Sequence, residues 1–264
     1  MGEKIGEGNF GIVFGCIDGW NNDLAAKVLK PNGSYERVRS AAEGEFQKLV
    51  LLRHPNITYI YDAFEWRDTF YIVTERCYSP VETLFTAVDK FDGKVWLMPI
   101  ARCLLQAVHY VHQNGFVHQD IHPGNVFASF AKNEMDPSSF GSMQFKLGDL
   151  GIAKAFGEVH ANNTRAVWMA PPETLNVAEY GPVDHRVDIY HLGLLFLQLA
   201  YSRLMKFSPD EILAGKPREM AVSLPQPLGS ALEKALRRHS AFRTSSAMEF
   251  WRDLNGPPQV GQRA

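Results

Sequence analysis

The run His118-Gln119-Asp120-Ile121-His122-Pro123-Gly124-Asn125, followed further along by Asp149-Leu150-Gly151, constrains this chain more than any other feature. Both strings fall in a loop-rich stretch, residues 116–173, broken only by short strand-like pieces at 125–128 and 144–147. Loops of that length in a compact domain are usually functional. Taken singly, Asp120 and Asn125 would pass as a capped turn, since short polar side chains cap local backbone N–H groups. The stretch is flanked by two different kinds of chain, and that division sets the fold class.

Before it, residues 1–75 read mostly as strand. Residues 4–17 and 24–29 are rich in Val, Ile, Phe and Ala and are separated by the turn-like DGWNND, as in a hairpin. Residues 57–64 and 69–74 form two more strands around the polar turn EWRD. One helix is expected at 35–52, with apolar or small residues at Val38, Ala41, Ala42, Phe46, Leu49 and Leu52, ended by His54-Pro55-Asn56. After Glu75 the pattern becomes helical: 97–114 is closed by Gly115, and 188–201 has almost no polar face and should be buried. The segment 255–264 reads as a frayed tail.

A length of 264 residues suits one domain built of two lobes. With 45% hydrophobic and 21% charged residues, the chain is not disordered, collagenous or coiled coil. Its net charge of -2 gives no support to nucleic-acid or membrane-surface partners. The most apolar long run, 189–200, contains His191 and Gln198 and is far short of the roughly 20 residues of a membrane span. Cys16, Cys77 and Cys103 are widely spaced and odd in number, which fits a reducing compartment. No leader is visible in MGEKIGEGNF, so a cytoplasmic location is expected.

Near the start, Gly6-Glu7-Gly8-Asn9-Phe10-Gly11-Ile12-Val13 fits G-x-G-x-x-G-x-V, a spacing that lets backbone N–H groups approach phosphates. A plain glycine-rich hairpin and a dinucleotide-binding turn share those glycines. In the dinucleotide fold a helix opens at the third glycine, whereas here Ile12-Val13-Phe14 continues as strand. Lys27 ends the apolar strand Leu24-Ala25-Ala26-Lys27, where a solvated strand end is the ordinary reading.

With the ordered set in view, the chain resembles a protein kinase catalytic domain over nearly its whole length. The set is the Gly-rich loop, Lys27, Glu45, the HxD...N loop, the D-x-G, Pro171-Pro172-Glu173, Asp188 in an apolar helix, and Arg243. The resemblance implies an α+β bilobal fold in one domain, 1–264. The small β-rich N-lobe would take about 1–75, the hinge 76–79 and the larger mainly helical C-lobe 80–254, before the tail. It implies ATP and Mg2+ as cofactors and a protein substrate. Asp120 resembles the catalytic base, Asn125 and Asp149 the magnesium ligands, and Lys27 the phosphate-binding lysine held by Glu45, which is better placed than Glu43. Gly6, Gly8 and Gly11 would cover the phosphates. Val13, Ala25 and Phe127 would clamp the adenine ring, with Thr74 behind it and Glu75-Arg76-Cys77 as the hinge. His118 is expected to order the loop, and to stack with Ile60, Leu49 and Leu150 between the lobes.

Five departures bound the resemblance. Gln119 stands for the arginine of H-R-D, and His122 for a lysine usual in serine/threonine kinases. Leu150 replaces Phe in the D-x-G, and AKNEMDPSSFGS reads as a surface insertion between two strands. The segment Thr164-Arg165-Ala166-Val167-Trp168-Met169 lacks the usual Gly-Thr before Pro171-Pro172-Glu173. Pro123 favours Ser/Thr over Tyr as acceptor. Two rivals stay open: a pseudokinase-type nucleotide-binding scaffold, and a small-molecule phosphotransferase of the aminoglycoside or choline kinase type, which shares the wording HxDxHPGN.

Overall fold

The computed structural model describes residues 1–8, 11–30, 35–36, 39–40, 52–87, 91–130, 141–150, 153–160 and 167–256. The body of the expected helix at 35–52 with Glu43, Glu45 and Leu49, most of the insertion, Gly151, Thr164, Arg165 and the tail beyond Gly256 lie outside those residues.

Five strands form the first sheet, in the order β1-β2-β3-β5-β4: β1 (Lys4–Glu7), β2 (Gly11–Ile17), β3 (Asp23–Leu29), β4 (Ile60–Trp66) and β5 (Thr69–Glu75). All neighbours run antiparallel, as short connections allow. The β2–β3 turn is built by Asp18, whose carboxylate accepts the N–H groups of Trp20 and Asn22 at 2.8 and 2.9 Å. Between β4 and β5 the turn is tighter than EWRD suggests. Trp66 still pairs with Thr69, and only Arg67 and Asp68 turn, both with positive φ (49° and 56°), the conformation that matches the twist of hairpin strands. Nor does β4 begin at Ile57. Residues 56–58 are drawn to the other lobe, where Thr58 N–H donates to the Leu147 carbonyl (2.9 Å) and Leu147 N–H to that of Asn56 (2.8 Å).

Past the hinge come β6 (Ser79–Pro80), α1 (Val81–Ala87) and α2 (Gly93–Gln113). Helix α2 starts earlier than its apolar periodicity predicts, because the Asp92 carboxylate caps Lys94 N–H and Ser202 Oγ accepts Gly93 N–H at 2.9 Å. Gly93 is required by contact: a Cβ there would lie 2.3 Å from the Leu199 carbonyl oxygen. The partner of α2 is α5 (Arg186–Ala200), buried from Val187 onward as its lack of a polar face requires. Ile100, Leu104 and Val108 of α2 and Leu192, Leu195 and Phe196 of α5 belong to one core. Each such side chain removed from water contributes about 1.5–3 kcal/mol. Helix α9 (Ala247–Asn255) closes the far side, with Phe250 against Phe196 at 5.5 Å between rings.

Between α2 and α5 lie β7 (Phe116–Val117), β8 (Val126–Phe130), β9 (Met143–Leu147) and β10 (Lys154–Ala155), then α3 (Pro172–Leu175) and α4 (Val177–Tyr180). They make two small sheets, β6-β8-β9 and β7-β10. Among the described residues no helix is long and apolar enough to cross a membrane.

Candidate active site

Asp188, in the first turn of α5 and wholly buried, holds the 118–125 loop in place. Its Oδ2 accepts His118 N–H at 2.9 Å and bonds His112 Nε2 at 2.8 Å, while Oδ1 accepts Gln119 N–H at 2.8 Å. Burial alone would raise this carboxyl. The hydrogen bond from His112 and the nearby imidazoles outweigh it and hold the group below the usual carboxylate range. Gln119 has φ of 69°, unusual for a side chain with a Cβ, and its N–H is one of those Asp188 grips. The strain is thus carried where the framework fixes it.

His118 orders the loop, as expected. Its Nδ1 accepts Asp120 N–H at 3.2 Å, so the proton sits on Nε2, which donates to the Gly148 carbonyl at 3.0 Å. The ring therefore ties the Asp120 loop to the residue before Asp149. Asn125 supplies a second tie: its Nδ2 donates to the Asp120 carbonyl at 2.9 Å and to Asp120 Oδ2 at 3.2 Å, and its carbonyl accepts Gly148 N–H at 2.9 Å. His122 Nδ1 accepts Gly124 N–H at 3.1 Å, leaving Nε2 facing Asp120 Oδ2 at 3.8 Å. Burial pushes the His122 imidazole below its ordinary value, although Asp120 and Glu82 pull it up.

Lys27 reaches across from β3 and pairs with Asp149 Oδ1 at 2.9 Å. Glu45, its expected partner, is outside the described residues. Lys27, Val13, Ala25 and Thr74 share one face of the sheet, since Val13 pairs with Lys27 and Ala25 with Thr74 across the ladder. Of the loop glycines, Gly8 N–H donates to the Gly11 carbonyl (2.9 Å), and a Cβ on Gly11 would meet the Val28 carbonyl oxygen at 2.4 Å. Gly6 faces Val13, and a Cβ on Gly8 would meet nothing within 4 Å among the described residues.

At the hinge, Thr74 Oγ1 donates to the Glu75 carbonyl at 3.2 Å. Burial and the Glu75 charge push the Cys77 thiol up to about 12, so it is a protonated packing group. Phe127, on β8, pairs with Pro80 just past the hinge and is half-buried.

Several contributors went unread in the sequence. Lys146 binds both carboxylate oxygens of Glu75, at 2.6 and 2.8 Å, and Glu75 Oε1 also accepts Tyr59 N–H at 2.7 Å. The signal was a lone lysine inside the apolar strand MQFKL, since buried lysine is nearly always paired. His112 and Asn56, whose Nδ2 donates to the Phe145 carbonyl at 3.0 Å, gave no signal of their own. Further out, Arg243 pairs with Glu173 through two bonds of 2.6 and 2.7 Å, both side chains wholly buried, tying α3 to the segment before the last helix.

A family model described as "Protein kinase domain" matches residues 1–247. Cyclin-dependent kinase D-1 of Arabidopsis thaliana is 30% identical over 210 residues, 76% of this chain and 48% of that protein. Human serine/threonine-protein kinase A-Raf is 28% identical over 75% of the chain and 31% of its own length. Rat serine/threonine-protein kinase TAO2 is 28% identical over 80% and 16%. The chain thus spans less than half the length of these relatives. With the family model covering residues 1–247, and with a bilobal α+β architecture around the Asp120 loop, the chain belongs to the protein kinase domain family.

Proposed function

We propose that this domain transfers the terminal phosphoryl group of ATP to serine or threonine hydroxyls of proteins. The observation that carries the reading is the way Asp120 is held. Its carbonyl and Oδ2 are fixed by Asn125, and no hydrogen bond reaches Oδ1 among the described residues. A carboxylate so held can accept a proton from a hydroxyl laid against Oδ1.

Because the Asn125 amide nitrogen is committed to Asp120, its amide oxygen is the atom left to offer. That oxygen and the Asp149 carboxylate are the hard donors magnesium takes, and nucleotide phosphates complete such a site. Bound there, magnesium would neutralise charge on the phosphate oxygens. Lys27, already within 2.9 Å of Asp149, brings a second positive charge to the same place. The names of the relatives support Ser/Thr as acceptor, and three unbridged cysteines support a reducing compartment.

The test is a labelled-ATP transfer assay with a peptide library and, separately, a metabolite panel. Asp120→Asn is expected to slow transfer by about 10²–10⁴-fold while sparing nucleotide binding. Asp149→Asn should weaken binding of the magnesium nucleotide itself. Wild-type turnover in Asp120→Asn would overturn the reading, nucleotide binding without transfer would favour a scaffold, and labelling of metabolites alone a small-molecule phosphotransferase.

A further inference from the structure

Gly148, the residue before Asp149, has no backbone reason to be glycine, because its φ lies outside the left-handed region. The reason is space. A Cβ placed on it would stand 2.6 Å from Phe127 Cε2, 3.0 Å from Phe127 Cδ2 and 2.9 Å from Thr58 Oγ1. Real carbon contacts do not close below about 3.5 Å without strain.

Little else there can give way. Gly148 N–H is bonded to the Asn125 carbonyl at 2.9 Å and its own carbonyl to His118 Nε2 at 3.0 Å, so its backbone is fixed from both sides. The Thr58 hydroxyl donates to the Leu147 carbonyl at 3.2 Å and could turn away for the loss of that one bond. Phe127 is anchored through its backbone to Pro80 and Lys146 on either side. Its ring is half-buried, so the ring is what a side chain at 148 would displace, toward its open side.

We propose that Phe127 and Gly148 are a matched pair that sets the depth of the base-binding slot: the ring is the platform for a flat purine base, and the missing side chain is the recess into which the ring's edge settles. The inference rests on the reading that this site binds ATP, and adds which residue fixes the platform's height. An aromatic platform accepts the π-face of a base over its whole area. Its height decides whether a base lying on it still reaches the hinge backbone around Glu75 and Cys77. Gly148 is on this account a positioning residue that acts through Phe127.

A double-mutant cycle of Gly148→Ala and Phe127→Leu tests this in two measurements. Thermal unfolding without nucleotide reads the steric pair. Gly148→Ala should lower the melting temperature by several degrees, and Phe127→Leu in the same chain should recover most of the loss. Displacement of a fluorescent ATP analogue in magnesium reads the slot. Gly148→Ala alone should weaken binding about tenfold, but by less than twofold when Phe127→Leu is present. Should Gly148→Ala fail to fold alone, folding of the double variant supports the pairing, and failure of both overturns it. Additive effects in both measurements overturn the matched pair and leave the kinase reading intact. A wild-type chain that binds no magnesium nucleotide overturns the kinase reading, and with it the slot, even where the melting data show the steric coupling.

Discussion

His191 is 2% exposed on α5, and neither ring nitrogen has a hydrogen-bond partner among the described residues. Burial pushes it down to about 4 from an ordinary 6.5. Asp188 on its own helix pulls the other way, while His118 and His122 from the loop and Arg243 from before α9 add to the fall. With the folded value below the unfolded one, the unfolded chain takes the proton first. Stability therefore starts to fall as pH drops below about 6.5, and the penalty is complete below about 4, at about 3 kcal/mol. Urea unfolding of the wild type and His191→Met across that window should show the wild type losing about 3 kcal/mol more. Parallel curves would remove His191 from the account. In the sequence His191 was visible only as a polar break in an apolar run. A single buried imidazole leaves no period, so its environment could not be read from spacing.

Elements whose reason lies in periodicity were legible. Helix α5 was expected buried from its missing polar face, and the C-terminal end of α2 from Gly115, whose φ is 79°. Those whose reason lies in a distant partner were not. The start of α2 depends on Ser202 and Leu199, and the late start of β4 on Leu147, contacts that no local window contains. Glu173 and Arg243 stand apart in the motif set, and the fold pairs them. The guanidinium also donates to the carbonyls of Arg186, Arg237 and Arg238, and it lies 4.8 Å from the Tyr190 ring. Arg243→Met should cost about 3–5 kcal/mol, because it strands a buried carboxylate and several carbonyls. Adding Glu173→Gln should recover part of that loss, measured by chemical denaturation. An equal or greater loss in the double variant would mean that the carbonyl contacts, rather than the ion pair, brace α3.

At the scale of the molecule, the lobes are joined behind the hinge by contacts that the order of motifs could not show. Lys146 grips Glu75 and, through it, Tyr59 N–H, while Asn56 and Thr58 bond the backbone of β9. Lys146→Met should destabilise the fold by about 3 kcal/mol, at the low end for a buried pair because Glu75 keeps some water contact. Its activity should show a raised KM for ATP with a smaller change in kcat, since the hinge rather than Asp120 loses its support. A variant with unchanged KM would show that the hinge holds its shape without the pair. The grip of Asp188 on the loop carries over to time. The amide protons of His118 and Gln119 are bonded to a carboxylate that no water reaches. In deuterium oxide they should exchange only when the whole C-lobe opens, hours after the amide of the exposed turn residue Gly19 has been replaced. The slowest protons in this protein would then lie next to the Asp120 carboxylate.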